Sequence, residues 1–419
     1  MTDSYSIGDI VVSSLVIQSP RKNIDLTGSF LSFSMYESIF TPGIILDVDI
    51  LDTTDLLGSA TLIGDETVVL IASIPNGSKF NMVFHLDSLT GLQSQGAQKS
   101  KTYTLKCVSV EAFFGMRNPV RTGYSNKSCS DIVKDLHTNF IKSSKPIDVE
   151  STDGAVGPLT IPNLPAFKAI QMVREMSVSS TNKSSIFSYF ETRDSGNQKF
   201  KYVTIESLFR NQPVKNFTQY DAVNIDSKID RSNNILSYKI PYQFSTMDKM
   251  KYAGPRDQSV KDRMTQQYNT QVMQTNDTSY ATGGGNGTNI STAFFNNFLN
   301  QFTPPKAMYD TEYANRAISL VPDKLKDRMA YLSILMQNTM RIAVPGDLSL
   351  TSGVMINCNI PNKTGLTVNV SQDPLMTGNF LIARIHHRVT LKQDRPRYTC
   401  VIECMKGKYE RSEEHTSEL

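Results

Sequence analysis

Two stretches of this chain echo one another, and the echo constrains its architecture more than any other feature. Val68-Val-Leu-Ile-Ala-Ser-Ile-Pro-Asn-Gly77 runs an apolar strand into Ile-Pro-Asn, and Tyr103-Thr-Leu-Lys-Cys107 closes a second strand downstream. Val354-Met-Ile-Asn-Cys-Asn-Ile-Pro-Asn-Lys363 repeats the first half, and Tyr398-Thr-Cys-Val-Ile-Glu-Cys404 repeats the second. The Pro-to-Tyr gaps are 28 and 37 residues, a difference that loop insertion absorbs because closure entropy grows slowly with length. A chain with two similar β blocks presents twice its subunit symmetry. That suits a part of an assembly and serves little purpose in most enzymes.

The 419 residues exceed what one core usually organises, so several domains are expected. The 43 basic and 40 acidic side chains are interspersed, which advertises neither nucleic acid nor an anionic membrane as a partner. Five cysteines form an odd set without metal-ligand or redox spacing, and reduced, buried thiols are expected. The start, Met-Thr-Asp-Ser-Tyr, lacks the regions of a signal peptide, and no apolar run approaches the ~18 residues of a membrane span. Folding in a cytoplasm is therefore expected. Residues 411–419 resemble translated sequencing-adapter sequence and are expected to be a non-native tail outside the fold.

The predicted class is α+β, mainly β. Ile44, Leu46, Val48 and Ile50 alternate with Ile45, Asp47, Asp49 and Leu51, the period of a strand with one buried face. Further strands are expected at 8–17, 66–74, 79–89 and 101–110, giving an antiparallel barrel or sandwich over 1–110. A mixed α/β domain follows over 111–210. Ser128-Cys-Ser-Asp131 begins a helix with Ile132, Val133, Leu136 and Phe140 on one face. Pro165 begins another with Phe167, Ile170, Val173 and Met176. Strands are expected at 185–192 and 200–205. The second β block is split over 211–240 and 320–410, with extended segments at 223–229, 235–240, 340–344, 354–360, 380–391 and 398–405 and a helix at 322–337. Between its halves, 241–319 reads as an inserted, partly flexible segment, rich in Gln, Asn, Thr and Ser over 249–303.

No set of residues reads as a catalytic, cofactor or metal site. Asp47, Asp49, Asp52 and Asp55 lack the Gly-bearing turn and ligand number of a Ca²⁺ loop, and are expected on a solvated strand face and turn. His386 and His387 are adjacent, so on a strand they point to opposite faces and do not chelate one ion. Cys400 and Cys404 share a face, with nothing in the sequence to put either against a histidine. His85 and His137 are isolated, and no nucleophile elbow accompanies them. Gly283-Gly-Gly-Asn-Gly287 lacks the Lys-Ser/Thr of a phosphate loop and reads as a linker. The basic residues of 249–263 are diluted by Asp248, Asp257 and Asp262.

Four local motifs, in this order along the chain, add to the split β block. They are Ser38-Ile-Phe-Thr-Pro-Gly43 before an Asp-containing strand, Gly64-Asp-Glu66, Leu159-Thr-Ile-Pro162 leading into Pro165-Ala-Phe-Lys-Ala169, and Met376-Thr-Gly-Asn-Phe-Leu-Ile382 with His386 after it. With the α/β middle, they make residues 1–410 resemble the baseplate central hub protein of contractile-tailed, T-even-like phages. The resemblance implies a homotrimer whose two tube domains per subunit close a pseudo-sixfold ring. That ring would join a sixfold tail tube or its initiator proteins to a threefold puncturing spike, with baseplate wedge proteins around it. It implies residence in the virion after synthesis in the host cytoplasm, and no catalytic residue. Neither a membrane nor a sequence-specific nucleic acid is an expected partner, though DNA passage through the ring would be passive. The other readings are a secretion-spike or tail-like injection component and a cell-wall-degrading tail enzyme.

Overall fold

Period-two burial organises most of the chain. A computed structural model describes residues 8–53, 62–74, 79–95, 100–156, 158–194, 197–220, 231–240, 335, 339–361, 376–392 and 395–406. Along strand β4 the even-numbered residues Leu46, Val48, Ile50 and Asp52 are buried, and Ile45, Asp47, Asp49 and Leu51 are exposed or half-exposed. The first block contains β1 (Val11–Gln18), β2 (Ile24–Asp25), β3 (Phe30–Ser38), β4 (Ile45–Asp52), β5 (Thr67–Ser73), β6 (Lys79–Gln95) and β7 (Ser100–Ser109). Helix α1 (Val110–Arg117) leads out of it.

The middle region follows with β8 (Pro119–Tyr124), α2 (Cys129–Asp135), β9 (Ile147–Val149), β10 (Leu159–Pro165), α3 (Ala166–Met176), β11 (Phe187–Asp194), β12 (Asn197–Thr204) and α4 (Ile205–Phe209). Ser128 caps α2 by accepting from the Asp131 amide at 3.1 Å. The helix predicted through Phe140 instead widens into a π turn over Leu136–Ile141, ending at Lys142 in the left-handed region. Pro165 is the cap of α3, which buries Ala166, Ala169, Ile170 and Val173. Gly115 lets α1 and α3 touch, because a Cβ there would stand 2.3 Å from the Phe167 ring.

The chain then forms β13 (Pro213–Thr218), β14 (Ser237–Lys239), β15 (Thr339–Pro345), β16 (Met355–Asn359), β17 (Gly378–Lys392) and β18 (Arg395–Met405). In the first block the hydrogen-bonded order is β3-β4-β7-β6-β5-β1, and in this later set it is β14-β15-β18-β17-β16-β13. The two orders match strand for strand in chain sequence. In both, a long strand carries a bulge opposite a cysteine of the next strand: Leu86/Ser88 beside Cys107, and Ile382/Arg384 beside Cys404. One pairing differs, since β1 meets β5 antiparallel whereas β13 meets β16 parallel.

The two β sets are joined edge to edge in one sheet. β3 pairs antiparallel with β17, Ser38 opposite Arg384 through Ser32 opposite Thr390, so 13 strands form one hydrogen-bonded sheet. One apolar cluster runs through both sets, from Leu15, Leu46 and Leu105 to Ile342, Ile385 and Ile402. A second fills the middle region, and a third, with Ile39, Phe190, Leu208 and Leu381, lies where all three meet. Asp52, expected in a solvated turn, is instead buried because it continues the even-numbered face of β4. Several predicted features lie outside the described residues: the Pro75-Asn76 and Asn362 parts of the echo, Asp55, the strand at 223–229, all but Leu335 of the helix at 322–337, the segment 249–303 with Gly283–Gly287 and Asp248, Asp257 and Asp262, and the tail 411–419.

Candidate functional site

The seam between β3 and β17 is closed from the middle region by β11, and the side chains that meet there are polar. Glu37 continues the buried face of β3 after Phe33 and Met35. Its Oε1 accepts from Arg193 Nε at 2.9 Å and lies 2.7 Å from Nη2. Its Oε2 accepts from the Ser352 amide at 3.2 Å and from the Thr351 hydroxyl. Arg193 Nη2 also donates to the Leu350 carbonyl at 3.0 Å. The neighbouring Thr192 hydroxyl donates to the Ser352 carbonyl at 2.9 Å. Gly353, at φ +83°, keeps this loop against Phe190, whose ring would lie 2.7 Å from any Cβ.

His387 completes the network from β17. Its Nε2 stands 3.1 Å from Arg193 Nη2 and 3.3 Å from Glu37 Oε1. Its Nδ1 stands 2.7 Å from Tyr398 Oη and 3.4 Å from Cys400 Sγ. Cys400 therefore does face a histidine, a pairing with no signal in the sequence. Glu37, Arg193 and His387 expose 3% or less of their side chains. Burial opposes ionisation of Glu37, but Arg193 and His387 overcome it and bring its pKa down to about 2. Burial likewise pushes the His387 imidazole toward neutrality; Cys400 and Glu37 more than reverse this, leaving its pKa raised. This arrangement ties three distant parts of the chain together through charge-assisted hydrogen bonds shielded from water.

A second charged cluster sits where α1 meets the middle region. Lys145 Nζ lies 2.6 Å from both Glu111 Oε2 and Glu191 Oε1. It borders an open cleft of about 750 Å³ whose walls include Lys79, Asn81, Val83 and Gln198. Burial raises the pKa of Glu191 despite its lysine, while the two carboxylates raise that of Lys145 against its own burial.

The other residues weighed in the sequence are scattered. His386 stacks on Tyr36 at 4.4 Å on the opposite face of β17 from His387. His85 lies against Phe113 at 3.5 Å, and His137 sits 2.9 Å from Tyr189 Oη. Asp49 is held by the Ser32 and Thr104 hydroxyls. All five cysteines are free and buried, and Cys404 Sγ donates to the Met340 carbonyl at 3.3 Å. Among the described residues no group of three or more His, Cys, Asp or Glu could hold a metal ion, and no helix is long and apolar enough to cross a membrane. Glu37, Arg193 and Lys145 were missed by sequence reasoning. The available signal was a charged residue on the apolar phase of a strand, as in Phe33-Ser-Met-Tyr-Glu37.

No protein-family model matches the chain, and no curated protein does. Its fold is similar to that of the tail protein from Neisseria meningitidis MC58, at 11% identity and a TM-score of 0.53, over 94% of this chain and 97% of that one. It is also similar to the 43 kDa tail protein of prophage MuSo2 from Shewanella oneidensis, at 8% identity and a TM-score of 0.52, over 94% and 98% of the two chains. The chain thus shares the fold of tail proteins, in line with the resemblance drawn from its sequence.

Proposed function

We propose that the chain is the central hub of a phage tail baseplate, an architectural part without a catalytic centre. Three copies form a ring of six β blocks, which meets the sixfold tail tube or its initiator proteins on one face. The threefold body holds a cell-puncturing spike on the other, and baseplate wedge proteins surround it. The observation that carries this reading is the six-strand order that occurs twice in one polypeptide. Threefold rotation of such a chain yields six nearly equivalent surfaces, which one block per subunit would not supply. The tube domains in this reading are 1–110 and the split 211–240 with 320–410, and the α/β domain 111–210 braces them through Arg193. The tail-protein fold also favours it, and any passage of DNA through the ring would be passive.

The test is the mass of the purified chain in solution, combined with negative-stain imaging. A trimer with an axial channel is expected, and a globular monomer overturns the reading. Degradation of peptidoglycan by the purified chain would replace the architectural role with an enzymatic one.

A further inference from the structure

The two β blocks match in strand order but not in what lies along their long strands. In the second block one edge of β17 is shared: residues 378–381 pair with β16, and residues 384–390 pair with β3 of the first block. The equivalent long strand, β6, pairs with β5 over residues 79–85, and its Leu86 amide still donates to the Glu66 carbonyl at 3.0 Å. Beyond that point no described residue pairs with β6 on this side, although β7 pairs with its other side as far as Gln95. The strand equivalent to β3 is β14. It pairs with β15 on one side, and among the described residues nothing pairs with the other. Each block thus supplies one element of a junction that the chain completes once, in cis, as β3·β17.

From this we infer that β14 of one copy pairs antiparallel with the distal half of β6 in a second copy, repeating the β3·β17 junction between subunits. The inference rests on the ring assembly proposed above and assigns its subunit contact. The register follows from matching pairs in the two blocks. Gln93 is the counterpart of Arg388, since they face Thr102 and Thr399, each five residues before the aligned Cys107 and Cys404; β6 reaches this position through a second bulge, between Thr90 and Gln93, that β17 lacks. It also makes Lys239 the counterpart of Ser34, since they face Arg341 and Asp47. Ser34 lies opposite Arg388, so Lys239 of one copy lies opposite Gln93 of the next, and Ser237 lies opposite Gln95. Side chains near both edges fit a covered surface. Leu92 on β6 is 57% exposed and Leu236, next to β14, is 54% exposed, whereas open sheet edges ordinarily carry charge or are blunted. Because the contact joins two different edges, it is heterologous and closes only as a ring.

Facing residues of an antiparallel pair have Cα atoms about 4.5–5.5 Å apart, within reach of a disulfide. The test uses the full chain carrying Gln93→Cys and Lys239→Cys, both at exposed positions, with the single variants as controls. Diamide takes two electrons and two protons from each facing thiol pair. Non-reducing gels of the double variant should show covalent dimers and trimers in place of most monomer. Single variants should show none when alone, and mixing the two before assembly should give dimers only. Solution mass on the same samples separates the outcomes. A trimer that does not cross-link overturns this contact and leaves the hub reading standing, whereas a monomer overturns both.

Discussion

Glu191 and Arg193 stand two residues apart on β11 and so leave the same face of the strand, yet they anchor clusters of opposite electrostatic character. Around Arg193 one guanidinium meets one carboxylate, and backbone carbonyls, an amide and a hydroxyl take up further hydrogen bonds. Around Glu191 two carboxylates share one ammonium, and that lysine remains 15% exposed beside a cleft. The fork geometry of arginine lets it satisfy several acceptors at once in a dry site, whereas lysine acts as a point charge. The first cluster is therefore built to stay ionised at the seam of the sheet. The second sets two carboxylates against one ammonium, with burial raising the pKa of Glu191, at a joint that water still reaches through Lys145.

Mutation should separate the two. The largest effect is expected from Arg193→Met, which leaves Glu37 charged and buried without its partner and should cost roughly 3–5 kcal/mol. The urea midpoint measures it, and a loss below 1 kcal/mol would mean that the seam does not depend on the pair. Next comes acid. Glu37 has its pKa lowered from 4.5 to about 2, so its contribution is fully present above pH 4.5 and is lost as pH falls through about 2. That window carries on the order of 3 kcal/mol, which Glu37→Gln should remove from the pH dependence of stability. Lys145→Met should cost less, about 1–3 kcal/mol, because Glu111 keeps the Ser143 hydroxyl as a donor and the fully buried Glu191, whose pKa burial already raises, takes up a proton when it loses its lysine. The smallest change is expected for Glu191→Gln. A carboxyl whose pKa is raised by burial disfavours folding at neutral pH, and this cost fades as pH falls through the folded value. The variant should therefore lie within about 1 kcal/mol of the parent at pH 7 and lose that acid-side gain.

The sequence was most legible where one face of an element is apolar. β4, β5, β7 and α3 follow their period, and the twofold echo led to strands that occupy equivalent places in the two orders. It was least legible where packing reverses the usual pattern. Helix α1 buries Glu111, Ala112 and Gly115 while Phe114 and Met116 are exposed, so no amphipathic stripe marks it. β3 was not predicted, because Glu37 occupies its apolar phase and a register shift at Phe30/Ser32 breaks the alternation. β6 runs past Leu89 through Thr90-Gly-Leu-Gln-Ser-Gln95, where both faces are largely polar. The seam network was invisible for a related reason. Its members come from residues 37, 193, 351, 387, 398 and 400, and only the register of β3 against β17 brings them together.

That register also has a consequence for how the protein is made. β3 and β17 lie about 350 residues apart, which at ribosomal rates of about 5–20 residues per second is a delay of roughly 20–70 s. Once β7 has emerged, for most of that interval, the first block has all its own strands while β3 still offers an open row of amides and carbonyls. A neighbouring nascent chain on the same message presents the same unsatisfied strand, so crowding on polysomes favours mispairing in proportion to that delay. Slower translation of the region after residue 240 would lengthen the exposure and lower the yield of correctly closed molecules.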